Sequence, residues 1–385
     1  MRVLGLISGT SADGIDAALV EIHGFGRTIA VHWLAGMTYP YPEPVRSHLL
    51  EICAGQALSL EDLADLDDTV ASVFADAVLS LQANAGEAEL IASHGQTVFH
   101  RPRQAGLGYS IQLGRGAEIA RLTGLPTISD FRTADIAAGG QGAPLVSALD
   151  ACLLSHPQHR RCVQNIGGIS NVTYLPPWDR HRAGEHWPEL WGWDTGPGNT
   201  LLDIAVQRFS QGQLSYDQNG AWAAQGTVCQ ALVEHWMGHP FFHQPPPKST
   251  GRELFGWHYL DTCLAAADTY QLSPADCLAS LSELTAVSIA HSYRTFLTEP
   301  PDEVFVCGGG SRNHYLMQRL AAHLDPIPLL TTDQAGLPTD FKEAIAFAVL
   351  GYWRQQNFPG NVPTVTGAQR PMLLGQLSEP VQLQA

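Results

Sequence analysis

The chain has 385 residues, 45% of them hydrophobic and 15% charged, a balance that builds a sizeable core and, at roughly 150 residues per domain, two or three domains. Its formal net charge of −16 argues against a nucleic-acid partner, which calls for a basic face, but leaves a phosphate ligand open, because backbone N–H groups and Mg²⁺ neutralise phosphate locally. No run approaches the ~20 apolar residues of a membrane span, the start is strand-like rather than a signal segment, and the seven scattered cysteines include no Cys-x-x-Cys pair, so a soluble cytoplasmic protein with reduced thiols and no membrane partner is expected.

In chain order, Val3–Ile7 and Ile15–Ile22 are β-rich runs joined by a glycine-hydroxyl turn, which predicts a hairpin, and Ile29–Met37 suits a third strand. Leu60, Leu63, Leu66, Val70, Val73, Ala77 and Leu81 recur at spacings of three and four, so a long amphipathic helix is expected over 58–81. Short strands are expected at 89–93, 110–113 and 127–129, and a helix at 116–122. Cys162–Leu175 repeats the layout of the opening hairpin, with an apolar run, a Gly-Gly-hydroxyl turn and a β-rich run, which suggests a duplicated architecture with one hairpin per lobe. Residues 176–188 read as a surface insertion, Gly198–Phe209 and Gly220–Trp236 as helices, and Pro245–Glu253 as an exposed, turn-rich loop. Ala275–Glu299 is expected to be a long helix, Glu303–Asn313 a strand entering a triple-glycine turn, and Lys342–Gln355 a further helix. Strands and helices mix along the whole length, which favours an α/β class.

Lysine occurs only at Lys248 and Lys342, neither after a glycine, so there is no Walker A loop, and no Gly-x-Gly-x-x-Gly opens a helix after a strand. Gly9-Thr10-Ser11-Ala12-Asp13-Gly14 has the glycines that bring backbone N–H groups to an anion and a carboxylate able to hold Mg²⁺ or its water shell; it reads equally as an ordinary Asp-Gly hairpin turn. Asn165–Asn171, with Gly167, Gly168 and Ser170, is a second candidate anion nest. Gly308-Gly309-Gly310-Ser311 permits a flat ligand to lie on backbone, or is a tight strand-to-helix turn. In that order the three are what a two-lobed nucleotide clamp needs. Asp194, between an aromatic-rich stretch and Gly-Pro-Gly, is a candidate general base, or an Asx turn or helix N-cap. His94, Gln96, Thr97, Arg132, Asp135 and Gln141 are groups that hydrogen-bond polyhydroxyl ligands. His94 and His100 match no common zinc spacing, and Arg101 and Arg132 are candidates for a substrate carboxylate or for surface ion pairs. Glu343 suits the first turn of its helix with no function required.

Together, Ile7–Asp16, Ser93–His100, Asp130–Leu145, Gln164–Asn171, Trp193–Asn199, Gly308–Ser311 and Lys342–Ala344 resemble the anhydro-N-acetylmuramic acid kinase family, of the actin–sugar kinase–Hsp70 superfamily. They stand in the family's order over nearly the whole chain, and "SGTSADGID" with a downstream "DTGPGN" is a specific pair. The family usually has a larger apolar residue at Ala12, and Asp179–Trp191 looks like a variable insertion. The resemblance implies a two-domain actin-like (ribonuclease H-like) fold of duplicated mixed sheets flanked by helices, with the active site in the interdomain cleft. An N-terminal domain over 1–145 and a C-terminal domain over 146–385 are expected, the helix near 342–356 packing back toward the first.

It further implies ATP with Mg²⁺, bound by Gly9, Thr10, Ser11, Ala12, Asp13, Gly14, Ile15 and Asp16 in the first phosphate loop, with Asp13 on the Mg²⁺ side through water. Gly167, Gly168 and Ser170 would form the second loop, and Gly308, Gly309, Gly310 and Ser311 would sit by the adenosine. Asp194 falls on the catalytic aspartate, and His94, Gln96, Thr97, Arg132, Asp135, Gln141 and Glu343 on the sugar-binding set. The implied reaction opens the 1,6-anhydro ring of 1,6-anhydro-N-acetylmuramic acid with water and phosphorylates O6, in recycling of cell-wall sugars, by a homodimer. An ordinary sugar kinase acting on a free hydroxyl, and a nucleotide switch of the actin or Hsp70 type, are the alternatives; the polar clusters at 93–100 and 130–145 speak against a switch.

Overall fold

The computed structural model describes residues 1–9, 12–53, 55–101, 106, 108–181 and 187–380. The chain divides into two compact units: unit 1 comprises Met1–Leu153, Arg180–Trp187 and Asp340–Ala385, and unit 2 comprises Leu154–Asp179 and Pro188–Thr339. Twelve strands occur among the described residues: β1 (Arg2–Ser8), β2 (Ile15–His23), β3 (Ala30–Tyr39), β4 (Leu90–Arg101), β5 (Tyr109–Leu113), β6 (Thr127–Ser129), β7 (Arg161–Ile166), β8 (Ile169–Leu175), β9 (Trp191–Pro197), β10 (Glu303–Cys307), β11 (Leu329–Thr331) and β12 (Gln376–Ser378). No helix among the described residues is long and apolar enough to cross a membrane.

The sheet of unit 1 runs β12-β6-β4-β1-β2-β3, with β5 paired to β4. β1 pairs antiparallel with β2 and parallel with β4; β2–β3 is antiparallel and β4–β6 parallel. Unit 2 runs β11-β10-β7-β8-β9. There β7 pairs antiparallel with β8 and parallel with β10, β8–β9 is antiparallel and β10–β11 parallel. The strand orders 3-2-1-4-6 and 9-8-7-10-11 therefore match in sequence order and in every direction. The weak likeness of the two hairpins reflects a duplicated mixed α/β plan, each sheet flanked by helices.

β1 is buried from Val3 through Ser8 because it is covered on both faces. Leu4 and Leu6 point to one face, where they join Val70, Phe74, Ala77 and Leu81 of the Leu60–Ala85 helix in a core cluster. That helix starts where Ser59 accepts the Asp62 N–H, with Glu61 and Asp62 in its first turn, and stops at Gly86 with φ +99°. Leu60, expected in the apolar stripe, is exposed, since it lies in the first turn ahead of the buried face. On the other face Gly5 takes the Lys342–Gln355 helix: a Cβ on Gly5 would lie 1.9 Å from the Ala344 carbonyl oxygen.

Two further expectations need correcting. The strand expected at 89–93 continues to Arg101, because β5 returns along it in register from Gln96↔Leu113 to Arg101↔Tyr109. The single helix expected over Gly220–Trp236 is broken, and only Gln230–Met237 is α-helical. The N–H groups that would continue it upstream are taken by the Pro274–Phe296 helix instead: Thr227 N–H donates to Asp276 Oδ1 (2.6 Å) and Cys229 N–H to Ser280 Oγ (2.9 Å).

Gly5→Ala is expected to destabilise unit 1 by about 3 kcal/mol, the upper range for overpacking, because the obstructing atom is backbone. Urea unfolding of the two proteins checks this.

Candidate functional site

In unit 1 the turn after β1 is closed by Ala12 N–H donating to Gly9 O (3.1 Å), with Ala12 buried at φ +49°. Thr10 and Ser11 lie outside the described residues. Gly14 has room for no side chain, since its Cβ would lie 2.8 Å from Thr38 Cγ2, and Ile15, fully buried, begins β2. Gln96, fully buried on β4, donates to Gly9 O (3.2 Å) and to Thr97 O (3.1 Å), tying the turn to the neighbouring strand. Asp16 Oδ1 accepts from Thr38 Oγ1 (2.7 Å), whereas the Asp13 side chain is 70% exposed and pairs with Arg46 at 3.1 Å. An exposed carboxylate at a turn of this kind fits Mg²⁺ held mainly by phosphate and water. Among the described residues no group of three or more His, Cys, Asp and Glu side chains forms a direct metal cage.

The polar set of unit 1 forms a chain of hydrogen bonds. Arg132 Nε donates to His94 Nε2 (3.0 Å), which leaves His94 Nδ1–H to donate to Gly95 O (3.0 Å). Burial, then the Arg132 charge, holds His94 well below the ordinary histidine value, so this ring is a neutral orienting group. Arg132 Nη1 donates to Gly142 O (2.7 Å), and burial lowers it to about 10 against the opposing fields of Glu343 and Asp135. Asp135 faces inward. Its Oδ2 accepts the Gly142 N–H (2.8 Å) and its Oδ1 accepts from Asn361 Nδ2 and Thr366 Oγ1, both at 2.7 Å. Gln141 donates its N–H to Thr366 O (2.8 Å), and Thr97 Oγ1 accepts from Gln112 (3.1 Å). Arg132 and Asp135 thus grip the C=O and the N–H of one residue, Gly142, while Glu343 is exposed in the first turn of its helix.

In unit 2 the tip of the β7–β8 hairpin gathers two other segments. Gly198 and Thr200 N–H donate to Gly168 O (2.9 and 3.1 Å), and Asn199 N–H to Gly167 O (2.8 Å). The triple glycine leaves β10 at Gly308, φ +80°, where a Cβ would lie 2.4 Å from Asn165 Oδ1; Gly310 rests on Ile166 in the same way, while Gly309 is open. Ser311 folds back, its Oγ donating to Gly308 O (2.7 Å). Ser170 is internal: its Oγ accepts from Gln164 (3.0 Å) and its carbonyl from Thr195 (3.1 Å). The second hairpin, the Gly-Pro-Gly turn and the triple glycine therefore converge, with the Gly167, Gly168 and Gly308 carbonyls spent inside and Gly309 left exposed.

Asp194 sits on β9 in register with Asn171 of β8. The loop read from sequence as exposed is what holds it. Asp194 N–H donates to Lys248 O (3.1 Å), and Thr250 N–H donates to Asp194 Oδ2 (2.8 Å). Burial pushes Asp194 up to about 6, the Thr250 N–H and Lys248 draw it down, and the Glu253 carboxylate pushes it up. A carboxylate poised near 6 is largely ionised at neutral pH yet basic enough to take a proton. Lys248, Thr250 and Glu253 were missed; the signal present was Lys248 itself, one of two lysines in 385 residues.

A model of the family described as anhydro-N-acetylmuramic acid kinase matches residues 1–380. The chain belongs to this family. A protein of that name from Cyanothece sp. is 62% identical over 98% of this chain and 99% of its own length, and one from Acaryochloris marina is 61% identical over the same shares. Among solved structures, component A of (R)-2-hydroxyglutaryl-CoA dehydratase from Acidaminococcus fermentans aligns over 92% of this chain and 99% of its own at 10% identity, with a TM-score of 0.47, too loose a likeness to carry an argument. As a member of the anhydro-N-acetylmuramic acid kinase family the protein is an enzyme, a phosphotransferase with an alcohol acceptor that uses ATP.

Two variants test the geometry. Asp135→Ala removes the acceptor of three buried donors, of which Asn361 Nδ2 keeps only Arg370 O at 3.4 Å, and is expected to cost about 3 kcal/mol by urea unfolding. Asp194 has a folded value of about 6 against an ordinary 3.8, so ionising it penalises the fold: the penalty is absent below 3.8, grows to pH 6 and is complete above. Asp194→Asn should therefore be more stable than the natural protein at pH 8, by roughly 2–3 kcal/mol, with the gain vanishing toward pH 4 in melting scans.

Proposed function

We propose that this chain hydrolytically opens the 1,6-anhydro ring of 1,6-anhydro-N-acetylmuramic acid and phosphorylates O6 from ATP, giving N-acetylmuramic acid 6-phosphate and ADP in cell-wall recycling. Beyond family membership, the observation that carries the reading is the clipped Asp194 carboxylate, buried enough to sit near 6 and held at Oδ2 by the Thr250 N–H. In this reading Asp194 takes a proton from water as the water oxygen attacks the anomeric carbon. The bond from that carbon to O6 breaks, and O6 forms its new bond to the γ-phosphorus as the bond to the ADP oxygen breaks. No separate acid is needed for O6, because the phosphoryl group takes the place of a proton.

The first turn, with Gly9, Thr10, Ser11, Ala12, Asp13, Gly14, Ile15 and Asp16, and the second, with Gly167 and Gly168, are assigned to the phosphates. The glycines of both turns support this, since preorganised backbone N–H groups stabilise phosphoryl charge. Ser170 supports the second turn from inside, and Gly308–Ser311 is assigned to the adenosine. Asp13 would hold Mg²⁺ through water; the ion would supply charge neutralisation on the phosphates. Arg132, oriented by neutral His94, and Glu343 are assigned to sugar contacts together with Thr97 and Gln141, while Gln96 and Asp135 position the turns they bond. A cytoplasmic homodimer is part of the proposal; the seven free cysteines support a reducing compartment.

Reaction in ¹⁸O-water with mass spectrometry of the products tests the chemistry. One label at the anomeric hydroxyl of the phosphorylated sugar is expected, and phosphorylation of free N-acetylmuramic acid alone, with no turnover of the anhydro sugar, would overturn it. Asp194→Asn is expected to lower kcat by about 10²–10⁴-fold.

A further inference from the structure

Lys248 reaches deeper into unit 2 than its place in a proline-rich loop suggests. Its Nζ donates to Phe241 O (3.0 Å) and Phe242 O (3.4 Å), the carbonyls inside the short Pro240–His243 helix. The ammonium also lies 4.7 Å from the centroids of both the Phe241 and the Phe296 rings. Phe296 ends the Pro274–Phe296 helix, and Phe241 belongs to a buried aromatic cluster with Phe242 and Phe255. A half-buried ammonium held by two carbonyls and two ring faces is a directional anchor. The same residue's carbonyl accepts the Asp194 N–H, and two residues on, Thr250 N–H caps Asp194 Oδ2. The loop thus closes a backbone clip on Asp194 whose free end is fastened by the Lys248 side chain.

We propose that Lys248 is a positioning residue for the hydrolytic step: by anchoring the 248–250 segment it fixes the direction of the Asp194 carboxylate, presenting one oxygen to the attacking water while Thr250 holds the other. The inference rests on Asp194 being the base. The charged and titratable groups around the pair are few. Lys248 and Glu253 face Asp194 from the loop, and they pull its proton affinity in opposite directions. On the far side Lys248 faces His291 of the Pro274–Phe296 helix, whose ring lies 5.3 Å from that of His243 and is itself lowered mainly by burial. Burial draws Lys248 down to about 8, held partly up by Asp194, so the ammonium is retained through neutral pH.

Lys248→Met keeps the aliphatic stem and deletes the anchor and its charge. Lys248→Gln restores N–H donors for the two carbonyls without the charge. In steady-state assays with ATP and the anhydro sugar, Lys248→Met should lower kcat by roughly 10–10²-fold, the cost of a misdirected reacting group, with KM for both substrates within twofold. The acid limb of its pH–kcat profile should move to higher pH, because the cation that favours ionised Asp194 is gone. Lys248→Gln should recover part of kcat but show the same displaced limb. A Lys248→Met enzyme with natural kcat and an unmoved limb overturns the proposal. If that variant is too unstable to assay, Lys248→Gln decides alone, and an unmoved limb there overturns it. The two readings fail separately: a fully active Asp194→Asn enzyme removes the base, whereas an inactive Asp194→Asn beside an unaltered Lys248→Met removes only the anchor.

Discussion

Where the Lys342–Gln355 helix crosses β1, main chain rests on main chain, and where the triple glycine meets the second hairpin, Gly308 and Gly310 pack directly on Asn165 and Ile166. Much of the structure follows from this close approach. At Gly5 it lets β1 be covered by helices on both faces, so the strand that feeds the first turn is rigid and dry. At Gly308 it lets β10 end against the hairpin tip, so that three segments of unit 2 share one small patch of backbone. A site made of backbone has little charge of its own. Asp194 and Arg132 are each held by their own partners, Asp194 by the loop and Arg132 by His94 and Gly142.

The two sheets use one plan for different ends. In unit 1 the outer strand β3 faces β2 with Thr38 on Asp16, a neutral donor on a carboxylate. In unit 2 the corresponding outer strand β9 carries Asp194, and a loop from further along the chain supplies the donor instead. The duplicated frame therefore offers equivalent places, and the connections decide which acquires a desolvated carboxylate. Burial dominates the shift at Asp194, and the opposing influences of Lys248 and Glu253 bracket it.

Features carried by local pattern were legible in the sequence. Both hairpins, the long helix with its three-and-four spacing and the strand entering the triple glycine all appear where glycine, hydroxyl and apolar residues predict them, because each depends on neighbours a few residues away. What escaped was long-range. Pro245–Glu253 has the composition of a solvent loop, yet Thr250 meets Asp194 across 56 positions. Asp135 reads as a ligand-facing acid, but its partners Asn361 and Thr366 lie 226 and 231 positions on, and nothing local announces them. The break at 226–229 has the same origin, since backbone donors there prefer oxygens of a helix some fifty residues later, as Thr227 does with Asp276 across 49 positions.

The division of the chain has a consequence for its biosynthesis. Unit 1 opens the chain and also closes it, because β12 completes its sheet and the Lys342–Gln355 helix covers one face of β1. All of unit 2 lies between these two ends. During vectorial synthesis unit 2 has its full complement of residues while the sheet of unit 1 still lacks a strand and a covering helix. The face of β1 that carries Gly5 therefore stays without its covering helix until residues 342–355 have been made.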